Sequence, residues 1–492
     1  MPSRGTKFIE LKKWNKGLVL VRTPEDGEAA EAENVEVNDD VIRRRNGYSK
    51  VHTTTNPGGV NGRVTALYTS YLQSPPVLLA LVDNTLMSST GGDFSILTNT
   101  FAPSAPAYAT FKAFGGNLYI GSKYGTGDTA QQLKKWTGSG APTALTGTPN
   151  GSLVTSFAEK LWVAGDDANP SRVYWSRSYP DQEYRDTAHT TPGFPTANFL
   201  DVTVGDGDKV TGFAKLLNAL IVFKERSIHR ITGTPPEDAA AETGDHAVFS
   251  NEDQAGCIAP RSIAASSSFV LYLSRTGIYS YDGTRPQELS VAIRPLFDTL
   301  NENELKNAVG GWFAPDHYVL SVPLEDSAWP NLIISVHLRP NLSFTLWTSL
   351  QVSALETFPF SGVTVPVIGL NGKVGRMDAD TDDGDEVQWK YRTGPLNMGD
   401  LPFTKTIRRG WAWLQPKRGN ITIEYLRDWA TTAEPIFVDL AGYFAAEEEQ
   451  VRLPIPAGGT ARTFSVRVSG DSNGSAPVVQ EMAFEYFTRT AR

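Results

Sequence analysis

Cysteine is almost absent: the 492 residues hold one, Cys257. A single thiol excludes an intrachain disulfide framework and an all-cysteine metal cluster. Neither His nor Asn stands beside it to activate it, so it reads as a buried, inert thiol. Histidine is scarce as well. His52, His189, His229, His246, His317 and His337 are never closer than 17 residues, so no HxH or HExxH zinc spacing exists. His229 and His317 fall in strand patterns and read as structural. Long apolar runs are missing. A spanning helix needs about 18 apolar residues in a row, and the longest run, Val77 to Val82, suits a buried strand. Met1 to Lys7 lead into no apolar signal core, so no membrane insertion is expected. Positive charge is in the minority, 45 basic against 54 acidic residues, for a net charge of −9. That balance argues against a chain whose main task is gripping DNA by its phosphates.

Catalytic signatures are equally thin. There is no Gly-x-Ser-x-Gly elbow, no Walker A loop and no dinucleotide fingerprint. Carboxylates are the one catalytic raw material in quantity. Asp166-Asp167 ends a strand pattern and Asp206-Gly207-Asp208 makes a turn. A glycosidase needs two carboxyls facing each other about 5–10 Å apart, but Asp-Gly pairs are also how any β protein reverses direction. The densest acidic run is Asp378, Asp380, Asp382, Asp383, Asp385 and Glu386. Counted from Asp378, its sixth position is Asp383 where an EF-hand requires Gly, and its twelfth is Trp389 where an acid is needed. A solvated acidic loop is the default reading, and a calcium loop is the alternative. Arg43-Arg44-Arg45 and Lys405 with Arg408-Arg409 are too small to neutralise a phosphate track. No cofactor is expected, and the chain reads as a non-enzyme.

What the sequence does contain is punctuation for many short strands: 44 Gly, 31 Pro and 10% aromatics. Helical periodicity is confined to Pro295 through Leu305, with a weaker candidate around Gly27 to Ala32. A short aliphatic strand recurs, beginning at Val77, Leu118, Leu161, Leu220, Leu271, Tyr318 and Val367. A second strand carrying an aromatic follows in several units, as in Gln132–Trp136, Arg172–Ser176, Ser227–Ile231 and Gly277–Gly283. The longest interval contains a turn-rich loop, 186–196, and the next contains another, 235–245. Repeats of roughly 40–50 residues with about four strands each are what β-propeller blades need. The expected fold is all-β: a propeller of about seven blades over 51–395, with the aliphatic strands inner or central. A pair of large β-sandwiches is the competing architecture. Beyond residue 396 the pattern becomes plain alternation, with Ile407, Arg409, Trp411 and Trp413 on one face, then Ile421, Ile423 and Tyr425. Residues 396–492 therefore read as a C-terminal β-sandwich, and 1–50 as an extended N-terminal arm.

Three segments resemble the tail nozzle and packaged-DNA-stabilisation proteins of tailed bacteriophages. The first is Lys16-Gly17-Leu18, then Glu28 to Val35, then Arg44-Arg45-Asn46-Gly47-Tyr48. The second is Gly256-Cys257-Ile258-Ala259-Pro260-Arg261-Ser262 with Val270 to Tyr279. The third is Tyr391-Arg392-Thr393-Gly394 leading to Lys405 through Arg409. The resemblance implies a structural virion protein, made in the host cytoplasm and built into the phage tail. Such proteins form a homo-oligomeric ring, usually a hexamer, that meets the portal, adaptor and other tail proteins. The ring closes the exit channel, retains packaged DNA and opens for ejection. Net acidity suits a wall past which duplex DNA slides without specific binding. The acids expected to line that channel are Asp378, Asp380, Asp382, Asp383, Asp385 and Glu386, with Asp206 and Asp208 second. The alternative from another class is a receptor-binding or glycan-acting propeller of a phage tail.

Overall fold

The computed structural model describes all residues except 1–6, 15, 26, 39, 126–128, 179–192, 204, 206, 252–254, 397, 399–402, 416–419, 429–433, 440–450, 456–458, 471–476 and 490–492. Most of the turn-rich loop at 186–196 therefore lies outside the described residues.

Seven antiparallel units follow one another, each built on a run of four strands, the second with a short extra strand, Thr129–Ala130, beside its second strand. Their first strands are Val64–Ser70, Ala107–Phe114, Leu153–Phe157, Val210–Leu216, Ala264–Ala265, Val309–Ala314 and Ala354–Phe360. Each first strand touches the next, and the seventh returns to the first, so the units are the blades of a closed β-propeller. The chain supplies the strands of each of blades 1 to 6 consecutively. Blade 7 has only three of its own, ending at Val374–Ala379, and Gly47–Lys50 from the N-terminal segment is its fourth.

All seven aliphatic strands read from the sequence are the second strand of a blade, from Val77–Val82 in blade 1 to Val363–Gly369 in blade 7. Leu220, Val222, Leu271 and Leu273 are 0% exposed. Of the two positions expected for these strands, the central one is right and the innermost is not. Tyr68, Phe111 and Trp312 on first strands are only part-buried, because those strands border the axis. Second strands have a blade on each side and a strand along each edge, so both faces must be apolar. Seven apolar clusters fill the wedges between blades. The one between blades 5 and 6 runs on into the C-terminal core.

The sandwich draws strands from both ends of the chain. One sheet pairs Thr404–Gln415 with Val478–Arg489 and Val451–Ile455, and adds Lys7–Leu11, Val35–Asn38 and Val41–Arg44. The other runs Glu28–Glu33, Trp389–Thr393, Phe464–Gly470, Asn420–Arg427, Glu434–Asp439. It is continuous with blade 6 through the Glu33–Leu346 bridge. The extended N-terminal arm thus threads the sandwich before it closes the propeller.

Three local expectations are corrected. Glu28 to Ala32 is a strand rather than helical. Ala29 and Ala32 face the core at 0% and 1% exposure, while Glu31 meets Arg392 and Arg467 at 3.0 Å and Glu33 meets Lys390 at 2.9 Å. Cross-strand pairing outweighs the helix propensity of Ala and Glu, which is worth only tenths of a kcal/mol per residue. Trp411 and Trp413 do not share a face with Ile407. A bulge between Ile407 and Arg409 inserts one residue, and side chains alternate with period 2, so Gly410, Ala412 and Leu414 turn inward instead. The stretch from Pro295 to Leu305 is a four-residue helix, Arg294–Phe297, and a 3-10 turn, Glu302–Asn307, rather than one long helix.

Candidate functional site

The acidic run 378–386 leaves the third strand of blade 7 and wraps the N-terminal strand at the blade's outer edge. Its acids face cations rather than one another. Asp378 pairs with Arg376, Asp380 with Arg44 at 3.3 Å, and Asp383 with Lys373 at 2.6 Å and Lys50 at 3.9 Å. Asp382 accepts two hydrogen bonds from Arg45, at 2.9 and 2.6 Å. The Arg45 side chain is fully buried, and its Nε donates to Asn34 Oδ1 at 2.9 Å. Asn34 in turn donates to Thr348 Oγ1 and the Gln388 carbonyl. Gly47 follows because a Cβ there would run into the Thr381 carbonyl. These pairings oppose the calcium-loop alternative: the carboxylates do not converge. Only Asp385 and Glu386 are exposed and, among the described residues, make no ion pair.

Asp208 cannot line a channel. It is 4% exposed, and its carboxylate accepts the Glu225 and Arg226 backbone N–H groups at 2.9 and 3.0 Å. That is a turn clamp for blade 4. Asp206 lies outside the described residues. Asp166, weighed as a catalytic carboxylate, accepts from Ala168 N–H, the Asn169 amide and Tyr174 O–H, the last at 2.7 Å. Burial first, and that hydrogen bond second, push the Tyr174 hydroxyl up to about 12. The acid is spent on shaping its own turn. Cys257 is 0% exposed, and burial pushes its thiol up to about 12, so it is not a nucleophile at neutral pH.

The residue that occupies the propeller axis stands in the sequence only as one member of a resembling segment, with no periodicity to mark it. Arg261 precedes the first strand of blade 5. Its Nη1 donates to the carbonyls of Thr65, in blade 1, and Ser353, at the entry to blade 7. Nη2 donates to the Asn307 carbonyl, before blade 6. All three bonds are 2.9 Å. The guanidinium also lies 5.1 Å from the Tyr108 ring of blade 2. One side chain can reach blades on opposite sides of a ring only by crossing its centre, so Arg261 plugs the axis. The planar fork suits this task; a lysine ammonium would not span it.

Beside the plug is a cavity of about 310 Å³ with an apolar floor that includes Leu153, Val210 and Ile258. Its rim groups are largely committed: Asp166 as above, Asp167 to the Ala130 N–H at 2.8 Å, and Lys209 to Glu225 at 3.2 Å. Hydroxyls on or beside first strands tie four of the seven neighbouring blade pairs. Thr65 donates to Ala107 O at 2.6 Å, Thr110 to Ser152 O at 2.7 Å, Thr211 to Cys257 O at 2.6 Å and Ser353 to Val64 O at 2.7 Å. Among the described residues no group of three or more His, Cys, Asp and Glu could hold a metal ion, and no helix is long and apolar enough to cross a membrane.

No family model and no curated protein matches the sequence. Among solved structures, the chain is similar to BBS1N in complex with ARL6DN, at 10% identity and a TM-score of 0.41, covering 69% of this chain and 99% of that one. It is also similar to the WD40 domain of Neurospora crassa Pan2, at 10% identity and a TM-score of 0.38, covering 67% and 95%. It is the chain's own strand pairing that makes it a β-propeller with a β-sandwich stitched to it.

Proposed function

We propose that this chain is the protomer of a tail nozzle ring in a tailed bacteriophage, a structural protein that closes the DNA exit, retains the packaged genome and opens for ejection. The observation that carries the reading is where the three resembling segments fall. Arg45, Gly47 and Tyr48 close blade 7, Cys257 to Ser262 deliver the axial plug, and Tyr391 to Gly394 enter the sandwich. The first and third lie where sandwich and propeller meet, and the second ties blades across the axis, so all three are joints of the kind a load-bearing ring requires. Because Arg261 blocks the propeller's own axis, the DNA path lies between protomers. The acids able to face such a lumen narrow to Asp378, Asp380, Asp385 and Glu386. On the sandwich, Phe8 is 61% exposed and stacks on Trp411, beside Arg409, a composition typical of subunit contacts.

The receptor-binding or glycan-acting alternative would use the cavity beside Arg261. It is the weaker reading because Asp166, Asp167 and Glu225 are already engaged there. Electron micrographs of the purified protein test the choice. The expected image is a ring with a central opening wide enough for a duplex and with the propellers arranged around it. Isolated monomers at every concentration, together with reducing-sugar release from a host polysaccharide, would overturn the proposal.

A further inference from the structure

The strand that completes blade 7 is held by few bonds. Gly47–Lys50 pairs with Val374–Ala379 at only three positions, and the register breaks between Arg376 and Ala379. Beside the Lys50–Asp383 ion pair, three further hydrogen bonds made by backbone groups extend the hold. The Val51 N–H donates to the Val374 carbonyl at 2.9 Å, and the Asp383 N–H donates to the Tyr48 carbonyl at 2.7 Å. The third runs the other way: the Val374 N–H donates to Nε2 of His52 at 3.3 Å.

That last bond fixes the chemistry of the imidazole. Nδ1 lies 2.9 Å from the Thr54 carbonyl, which can only accept, so Nδ1 carries the proton and Nε2 the lone pair. The ring is 2% exposed, edge-on to Phe94 at 6.2 Å. An imidazolium there would set an N–H against an N–H. Its surroundings do not welcome the charge. Lys50 lies on the same segment, and Lys373 immediately precedes the adjoining strand. Arg376 is taken by Asp378. Of the two carboxylates within reach, Asp93 is held by the Thr53 N–H at 2.7 Å and by the Thr53 hydroxyl. Asp383 is held by Lys373 and Lys50. Burial accordingly lowers the His52 pKa from its ordinary value.

We propose that the strand closing the propeller is a proton-released latch: an imidazolium at His52 turns its contact with Val374 from donor–acceptor into donor–donor, and blade 7 loses its fourth strand while the other six blades stay folded. The buried Arg45–Asp382 clamp, which precedes the strand in the chain, tethers it for reclosure. This is independent of the nozzle reading; it concerns how the ring of blades is fastened.

Hydrogen–deuterium exchange of the full chain between pH 7.5 and 5.0, corrected for intrinsic exchange, tests it. Protection at 47–51 and 374–379 should fall by up to about 30-fold below pH 6.5, as one proton per opening gives tenfold per pH unit. Lys160–Ala164 in blade 3, which opens only with the whole fold, should stay better protected than 47–51 at every pH, and its residual pH dependence should survive in His52→Gln. His52→Gln, whose amide oxygen can accept from Val374 without titrating, should keep the protection at pH 7.5 and abolish its pH dependence. Three results would overturn the proposal: no loss at 47–51 at pH 5.0 in the wild type, blade 3 no better protected than 47–51 at that pH, or the same pH dependence at 47–51 in His52→Gln. Should His52→Gln fail to fold, the wild-type slope of log protection against pH still decides, since a slope of zero means that no proton is taken up on opening.

Discussion

Replacing Arg261 with Met keeps most of the side chain's volume and removes every donor. Three carbonyls, of Thr65, Ser353 and Asn307, then lose a charged partner at 2.9 Å. A hydrogen bond to a charged group is worth about 1.5–3 kcal/mol, which puts the ceiling near 4.5–9 kcal/mol. The true loss is smaller, because the neighbouring cavity of about 310 Å³ lets water reach the abandoned carbonyls. About 3–4 kcal/mol is the expected cost. At about 2.1 cal/mol/K of unfolding entropy per residue over the propeller's roughly 330 residues, that lowers Tm by about 4–6 °C. Differential scanning calorimetry reads it directly. Arg261→Lys, which retains the charge but not the fork, should fall between wild type and Met. If Arg261→Met melts within 1 °C of wild type, the guanidinium is not the tie between blades described above. If Arg261→Lys matches wild type, charge rather than geometry is what the axis needs.

Asp382→Ala should cost about 3–5 kcal/mol by leaving the fully buried Arg45 guanidinium unpaired, whereas Arg45→Met with Asp382→Leu should recover most of it; denaturant titration compares the two. His317 stacks on His337 at 4.0 Å between blades 6 and 7, and burial holds its pKa well below the ordinary value. The unfolded chain therefore takes up a proton below pH 6.5 that the folded chain refuses. Stability is full above that pH and falls with acid by about 1.4 kcal/mol per unit, and His317→Gln should flatten the slope in melting curves. Changing Asp378, Asp380, Asp385 and Glu386 together to Lys should slow DNA release in a single-particle ejection assay, most of all at low salt, and an unchanged rate would remove these acids from the lumen.

The blades were legible because their second strands need no periodicity to be noticed. Leu78 to Leu81, or Leu220 to Phe223, are apolar on both faces and stand out as continuous runs. The outer face of Thr404–Gln415 was misread because alternation carries no mark of an inserted residue: the bulge at Arg408 is set by pairing with Tyr486 and Glu485. The acidic run looked like free charge because the cations it meets at Arg44, Arg45 and Lys50 come from the other end of the chain. Arg261 was visible only as one member of a resembling segment. A lone arginine between Pro260 and Ser262 has no periodic partner, and its role depends on three carbonyls from blades 1, 6 and 7 that only the closed ring brings together.

Fastening the last blade with the first strand has a consequence for synthesis. Gly47–Lys50 leaves the ribosome early, yet Val374–Ala379 is made more than 300 residues later. At about 5–20 residues per second, the early strand waits on the order of 15–65 s for its partner. Val41–Arg44 waits longer still, for Val479. During that interval blades 1 to 6 can form in order, but the circle stays open. Apolar faces of blade 1, the wedge later filled by Phe358 and Val367, remain without cover. Closure is thus a late step of high sequence separation. Nascent chains that meet one another before it, as on a crowded polysome, have a complementary strand to exchange. Expression yield should accordingly respond to translation speed and to chaperone supply more than to the stability of the finished protein.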